Sequence, residues 1–144
     1  MSKQKVLFLD TDNSSRSQMA EGLLHRLGNK YFVVFSAGIN PTTIDPRAIE
    51  AMDELDIDIS NQESQSINDF LNINLDFIIT VSAKAEESCP SFHENVEKIH
   101  WDIVDPTKAE GNEDEIMDVF TEARNEIESK IQDFIVYQSS NESF

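Results

Sequence analysis

The sequence predicts a doubly wound α/β fold, on two observations. Short continuous apolar runs at residues 5–9, 32–35, 77–81 and 98–101 alternate with stretches of helical periodicity. The first run then ends in a polar loop that opens directly onto a helix, so strand, loop and helix N-terminus meet at one corner. Apolar residues that run on without alternating suit strands buried on both faces of a parallel sheet. Strands separated by helices imply right-handed crossovers, with helices on both faces. In such sheets a ligand sits beyond the carboxyl ends of the strands where the strand order reverses, and the loop after the first strand lies there.

The elements follow in order. From about Ser17 the residues Ala20, Leu23, Leu24 and Leu27 recur at i, i+3, i+4 and i+7, predicting one buried helical stripe, and Gly28 is placed to end the helix. The second strand, 32–35, closes on Ser36-Ala37-Gly38. Asp45 as N-cap and Pro46 at the first helical position start a helix over 46–56, with Ala48, Met52 and Leu55 on one face. A short helical piece is expected at 66–71, and the third strand at 77–81 ends on the same edge as the loop. The polar segment 82–90 has room for one helical turn before the fourth strand. Asn112 and Glu115 have capping-box spacing, and Ile116, Val119, Phe120, Ala123, Ile127, Ile131 and Phe134 mark one long helix over 113–136. Residues 1–137 form a single domain, and the polar segment 138–144 is expected to be a frayed tail.

Composition narrows the function. With 28 acidic and 11 basic residues the net charge is -17, so a phosphate backbone is repelled and nucleic acid is excluded as a partner. The acidity reads most simply as a solvated surface. No apolar run approaches the roughly 20 residues of a membrane span, and the N-terminus has no signal-peptide core, which predicts a cytoplasmic protein. A single cysteine, Cys89, rules out an intramolecular disulfide and suits a reducing compartment. His25, His93 and His100 have no ligand spacing, so no zinc or copper site is expected, and Trp101 reads as core or pocket wall.

The corner itself is built to hold an anion. Thr11, Asp12, Asn13, Ser14, Ser15, Arg16 and Ser17 offer loop N–H groups, a helix dipole and a guanidinium fork sized for a tetrahedral oxyanion. The plainer role for Arg16 is an ion pair, with Asp10 itself as the partner. The stretch 9–21, LDTDNSSRSQMAE, resembles the active-site loop of the low-molecular-weight protein tyrosine phosphatase family, and within it that of the thioredoxin-coupled arsenate reductases. Ser36-Ala37-Gly38 and Asp105-Pro106 extend the resemblance, which covers about residues 5–133. It implies a four-stranded parallel sheet in the order 2-1-3-4, with Arg16 holding the oxyanion and Asp105 as general acid.

The same resemblance exposes a change of chemistry. The family loop has a nucleophilic Cys where this chain has Asp10, a Gly where it has Asp12 and, in the reductases, a Cys where it has Ser15. The three relay cysteines of the reductases correspond to Asp10, Ser82 and Cys89, and one thiol closes no disulfide. Asp12 also adds a like charge where an anion should bind. At about 4 Å and an effective dielectric near 20 that repulsion is about 4 kcal/mol, or roughly a thousandfold in affinity. With no glycine in the loop, positive φ falls to Asp12 or Asn13. A potassium site is implied at Asn13, Glu21 and Ser36, but Gln65 stands at its remaining carboxylate position, which weakens the case for the ion.

Three readings follow. The first is a catalytically degenerate member of the family that binds or regulates, taking an oxyanion, a small molecule or a protein partner. The second is a phosphomonoester phosphatase with Asp10 as nucleophile, Asp105 as acid, and Mg²⁺ held by Asp10, Asp12 and Asp105. The third is an altered form of an active reductase or phosphatase; Ser15 and Ser82 suit such a form, Asp10 and Asp12 do not.

Overall fold

A computed structural model describes residues 2–92 and 95–141. Four parallel strands, β1 (Gln4–Asp10), β2 (Phe32–Gly38), β3 (Phe77–Thr80) and β4 (Glu97–His100), form one sheet in the order β2-β1-β3-β4. Four helices connect or cover them: α1 (Arg16–Gly28), α2 (Pro46–Asp53), α3 (Ala83–Ser88) and α4 (Glu113–Asn141). The fold class and strand order expected from the sequence are those observed.

Two cores flank the sheet because the central strand is apolar on both faces. Val6 and Phe8 point into the larger core, with Met19, Leu23 and Leu24 of α1, Met52 of α2 and Phe120, Ile127 and Ile131 of α4. Leu7 and Leu9 point the other way, onto Ile67, Phe70, Leu75, Ile78 and Ala85. Continuous apolar sequence in β1 is therefore the direct signature of a strand with no solvated face.

Several boundaries differ from the sequence pattern for identifiable reasons. Leu27 is not part of the buried stripe of α1, being 43% exposed. In the last turn the buried position passes from Leu24 to Gly28, four residues on, where a Cβ would lie 3.0 Å from Leu24 and 3.1 Å from Phe32. The second helix stops at Asp53 rather than 56, and Asp56 turns the chain out of the helix with φ 59°. The piece at 66–71 is a 3-10 turn, Ile67–Phe70, capped by Ser66. The last helix continues to Asn141 instead of ending at 136, so 138–141 of the expected frayed tail are helical; 142–144 lie outside the described residues, as does His93.

The caps are as expected. The Asp45 side chain accepts from the Arg47 N–H at 2.8 Å, with Pro46 in the first turn. Asn112 and Glu115 bond reciprocally, each side chain accepting from the other's backbone N–H at 2.8 and 3.1 Å. No helix among the described residues is long and apolar enough to cross a membrane.

Candidate active site

The loop between β1 and α1 sits at the carboxyl end of the central strand, where the order reverses between β2 and β3. Its shape is fixed by Asn13, which takes the left-handed conformation with φ 53°. Of the two candidates for positive φ, Asn13 is thus the one used, and Asn is among the side chains best able to adopt it. The Asn13 amide donates to Ser17 Oγ at 2.8 Å and Ser36 Oγ at 3.0 Å, and its oxygen accepts from the Gln65 N–H at 2.9 Å. Gly38 makes this packing possible: a Cβ there would lie 2.9 Å from the Asn13 backbone nitrogen.

The residues that the resemblance assigns to potassium do come together, but as a closed hydrogen-bond chain. Ser36 Oγ donates to Glu21 Oε1 at 2.5 Å, and burial pushes the Glu21 carboxyl above its ordinary value while the Ser36 bond pulls it down. The Asn13 oxygen is taken by the Gln65 N–H, and Gln65 brings no carboxylate. This set brings one carboxylate, Glu21, where the resemblance implies two, so it fits a cation poorly.

Asp10 dominates the loop. It is 1% exposed, at the end of β1. Its Oδ1 accepts from the Thr11 N–H at 2.8 Å and lies 3.0 Å from Arg16 Nη2, while Oδ2 accepts from the Ser17 N–H at 3.3 Å. Two loop N–H groups and the guanidinium are thus directed at the chain's own carboxylate. Burial pushes the Asp10 carboxyl above its ordinary range and Asp12 adds to this; Arg16 and the two N–H donors act in the opposite sense.

Arg16 is buried and anchored on three sides. Besides Asp10, it donates from Nη1 to the Ile103 carbonyl at 2.9 Å, and Nη2 lies 3.5 Å from Asp105 Oδ2. The expected ion pair with Asp10 is therefore present, and the predicted acid Asp105 reaches the same guanidinium from the loop after β4. Asp105 also caps the 3-10 turn Pro106–Lys108, its Oδ1 accepting from the Thr107 N–H at 3.0 Å and hydroxyl at 2.7 Å.

The other site residues take supporting positions. Asp12 turns back on its own loop, with Oδ1 accepting from the Ser14 N–H at 3.3 Å. Among the described residues no group of three or more His, Cys, Asp or Glu side chains is gathered to hold a metal, so Asp10, Asp12 and Asp105 do not form a preset Mg²⁺ site. Ser15, ahead of α1, is buried, and its hydroxyl is the buried side-chain polar atom without a partner among the described residues. Ser82 caps α3 through the Ala85 N–H at 3.0 Å and meets Thr11 Oγ1 at 2.9 Å, tying that helix to the loop. Cys89 sits just past α3, half-buried, its thiol pushed up by burial.

Sequence reasoning missed three supports. The Ile103 carbonyl holds Arg16, and no side-chain pattern announces a backbone acceptor. Gln18, fully buried in α1, donates to the Asn13 carbonyl at 2.9 Å and the Glu63 carbonyl at 3.0 Å. Gln62 donates in turn to the Gln18 side-chain oxygen at 2.8 Å. A polar residue beside the apolar positions Met19 and Ala20 was the available signal for Gln18.

Known proteins share both the sequence and this architecture. The chain is 44% identical over 135 residues to an arsenate reductase of Oceanobacillus iheyensis, covering 93% of this chain and 96% of that protein. It is 38% identical over 134 residues to an arsenate reductase of Bacillus subtilis, with the same coverage. Among solved structures, an arsenate reductase in its oxidized state superposes with a TM-score of 0.80 at 30% identity, covering 93% of this chain and 98% of that one. An arsenate reductase in the phosphate binding state gives 0.77 at 28% identity with the same coverage. Residues 5–143 match the family described as low molecular weight phosphotyrosine protein phosphatase, and it is to this family that the chain belongs.

Proposed function

We propose that this protein has exchanged the thiol chemistry of its relatives for a self-liganded loop, and that it works by binding or regulation rather than turnover. The observation that carries this reading is Asp10, whose carboxylate takes the Thr11 and Ser17 N–H groups and the Arg16 guanidinium. A carboxylate has no electrons to give arsenate, and a hydroxyl at Ser82 with a single thiol at Cys89 closes no disulfide. One relative of this fold is described in a phosphate binding state. Here the equivalent loop is held by an internal anion, so an oxyanion must displace Asp10 to enter.

The metal-assisted phosphatase reading is less well supported. It asks Asp10, Asp12 and Asp105 to converge on a cation, whereas Asp10 and Asp105 converge on Arg16 and Asp12 turns to Ser14. The test is direct: incubate the protein with an aryl phosphate, with and without Mg²⁺, and with arsenate plus a thioredoxin reducing system. The expected result is no turnover above the protein-free rate in any arm. Turnover that is abolished by Asp10→Asn would overturn the proposal in favour of a carboxylate nucleophile.

A further inference from the structure

We infer that the open edge of the sheet at β4, with the groove between it and α4, is a docking site for a basic, extended segment of another protein that adds as a fifth strand. The site is remote from the loop in its chemistry and uses none of the loop's residues.

The two sheet edges differ. At the β2 edge, Gly38 is bridged to Ser66 and its N–H donates to the Gln65 carbonyl at 2.8 Å, so another segment already occupies part of that edge. At β4 the N–H groups of Glu97 and Trp101 donate inward to the carbonyls of Asp76 and Thr80, which places those of Lys98 and His100 on the outer side. No backbone partner is found for them among the described residues. This edge is available to an incoming strand.

Beside the edge lies a groove of about 330 Å³. Ile99, Trp101, Phe134 and Tyr137 form its apolar wall, and Tyr137 is 64% exposed. Glu97, Ile99 and Trp101 alternate along the strand with Lys98 and His100, so their side chains share the α4 face. A strand added outside β4 would set every second side chain over this groove, giving an apolar residue a seat while backbone bonds fix the register.

Charge selects the occupant. The rim carries Glu97 and Asp133 against the single cation Lys130, on a chain of net charge -17. A second copy would bring two such surfaces together, and a four-residue edge bearing Glu97 and Lys98 is the kind that discourages pairing between copies. A segment whose groove-facing side chains are an apolar residue flanked by cations meets neither obstacle: its cations lie by Glu97 and Asp133, on the face opposite Lys98.

Trp101 is the only tryptophan and lines this groove, so its emission responds to occupancy there. The probe is the blocked peptide Thr-Lys-Thr-Phe-Thr-Lys-Thr, whose Lys and Phe side chains share one face of a strand, titrated into the full chain. The expected result is a saturable change in Trp101 emission, weakened about tenfold by Tyr137→Ser, which alters no charge, and similarly by Glu97→Lys. Amide shifts should concentrate at 97–101 and 130–138. The same peptide with its central residues N-methylated should bind at least tenfold more weakly, because it cannot donate to an edge. Binding that ignores Tyr137→Ser and N-methylation would be attraction to the acidic surface at large and would overturn the inference, as would shifts confined to other elements or a dimer formed through this edge. Both variants change exposed side chains, and their far-UV spectra and melting curves should match the parent.

Discussion

Removing the internal carboxylate should turn the loop back into an anion site. Asp10→Ser leaves the Thr11 and Ser17 N–H groups without their acceptor and frees one side of Arg16, which stays anchored on the Ile103 carbonyl. A phosphate entering the parent must lie against Asp10, and at about 4 Å with an effective dielectric near 20 that repulsion is about 4 kcal/mol. Its removal corresponds to roughly a thousandfold in affinity. Thermal shift with inorganic phosphate reads this out. At a concentration about 100 times the variant's Kd, binding stabilises by about 2.7 kcal/mol, or roughly 5–10 °C for a chain of this size. At the same concentration the parent sits near 0.1 Kd, where the stabilisation is only about 0.06 kcal/mol and no shift is visible. Asp10→Asn, which removes the charge and keeps the bulk, should fall between the two. Equal shifts in all three proteins would refute the reasoning, because the loop would then be indifferent to the charge that fills it.

Two further perturbations probe the same pair. Arg16→Met leaves Asp10 buried with only N–H donors and the Ile103 carbonyl without its partner; breaking a buried pair from one side is expected to cost about 3–5 kcal/mol in urea unfolding, and a loss under about 1 kcal/mol would mean Arg16 is not holding Asp10. The pH dependence of stability has a definite sign, since the Asp10 carboxyl is raised above its ordinary 3.8. Its contribution is fully present below that value and is lost as pH rises through the higher folded value. Urea midpoints between about pH 4 and 8 should therefore fall more steeply with pH in the parent than in Asp10→Asn. Glu21 is raised as well and is common to both proteins, so the difference between the two slopes isolates Asp10.

The parts of the molecule that were legible in the sequence are those governed by local rules. Apolar runs located the strands and periodicity located α1, α2 and α4, while α3 falls in a polar segment that offered only room for a turn; the Asp45 and Asn112 caps were readable because their partners lie within three residues. Strand order was not readable from periodicity, since four similar apolar runs carry no label; it came with the resemblance. Leu27 misled because a seven-residue repeat does not say where the covering elements end, and at the last turn of α1 the buried place belongs to Gly28. In the site, the ion pair of Arg16 with Asp10 follows from charges close in sequence on either side of a tight loop. The Ile103 carbonyl and the Gln18–Gln62 chain were invisible because they depend on backbone acceptors and on residues 44 to 87 positions apart.

The site also shows which residues fix the loop's shape and which place its charge. Its conformation rests on Asn13 and the groups around it: Ser17, Ser36 and the Gln65 N–H, with Gly38 allowing the close approach. Asp12 adds no side-chain bond to that network, whereas Asp10 joins it through Oδ2, which accepts from the Ser17 N–H at 3.3 Å. Asp12 is partly exposed, and its carboxylate bonds within the loop, to the Ser14 N–H, where its charge is screened. Asp10 is buried, and an unpaired carboxylate there would be strongly unfavourable. The Thr11 and Ser17 N–H groups and the Arg16 guanidinium offset part of the cost of its burial. Burial nonetheless leaves the Asp10 carboxyl above its ordinary range, so the loop's donors hold this charge less well than water would.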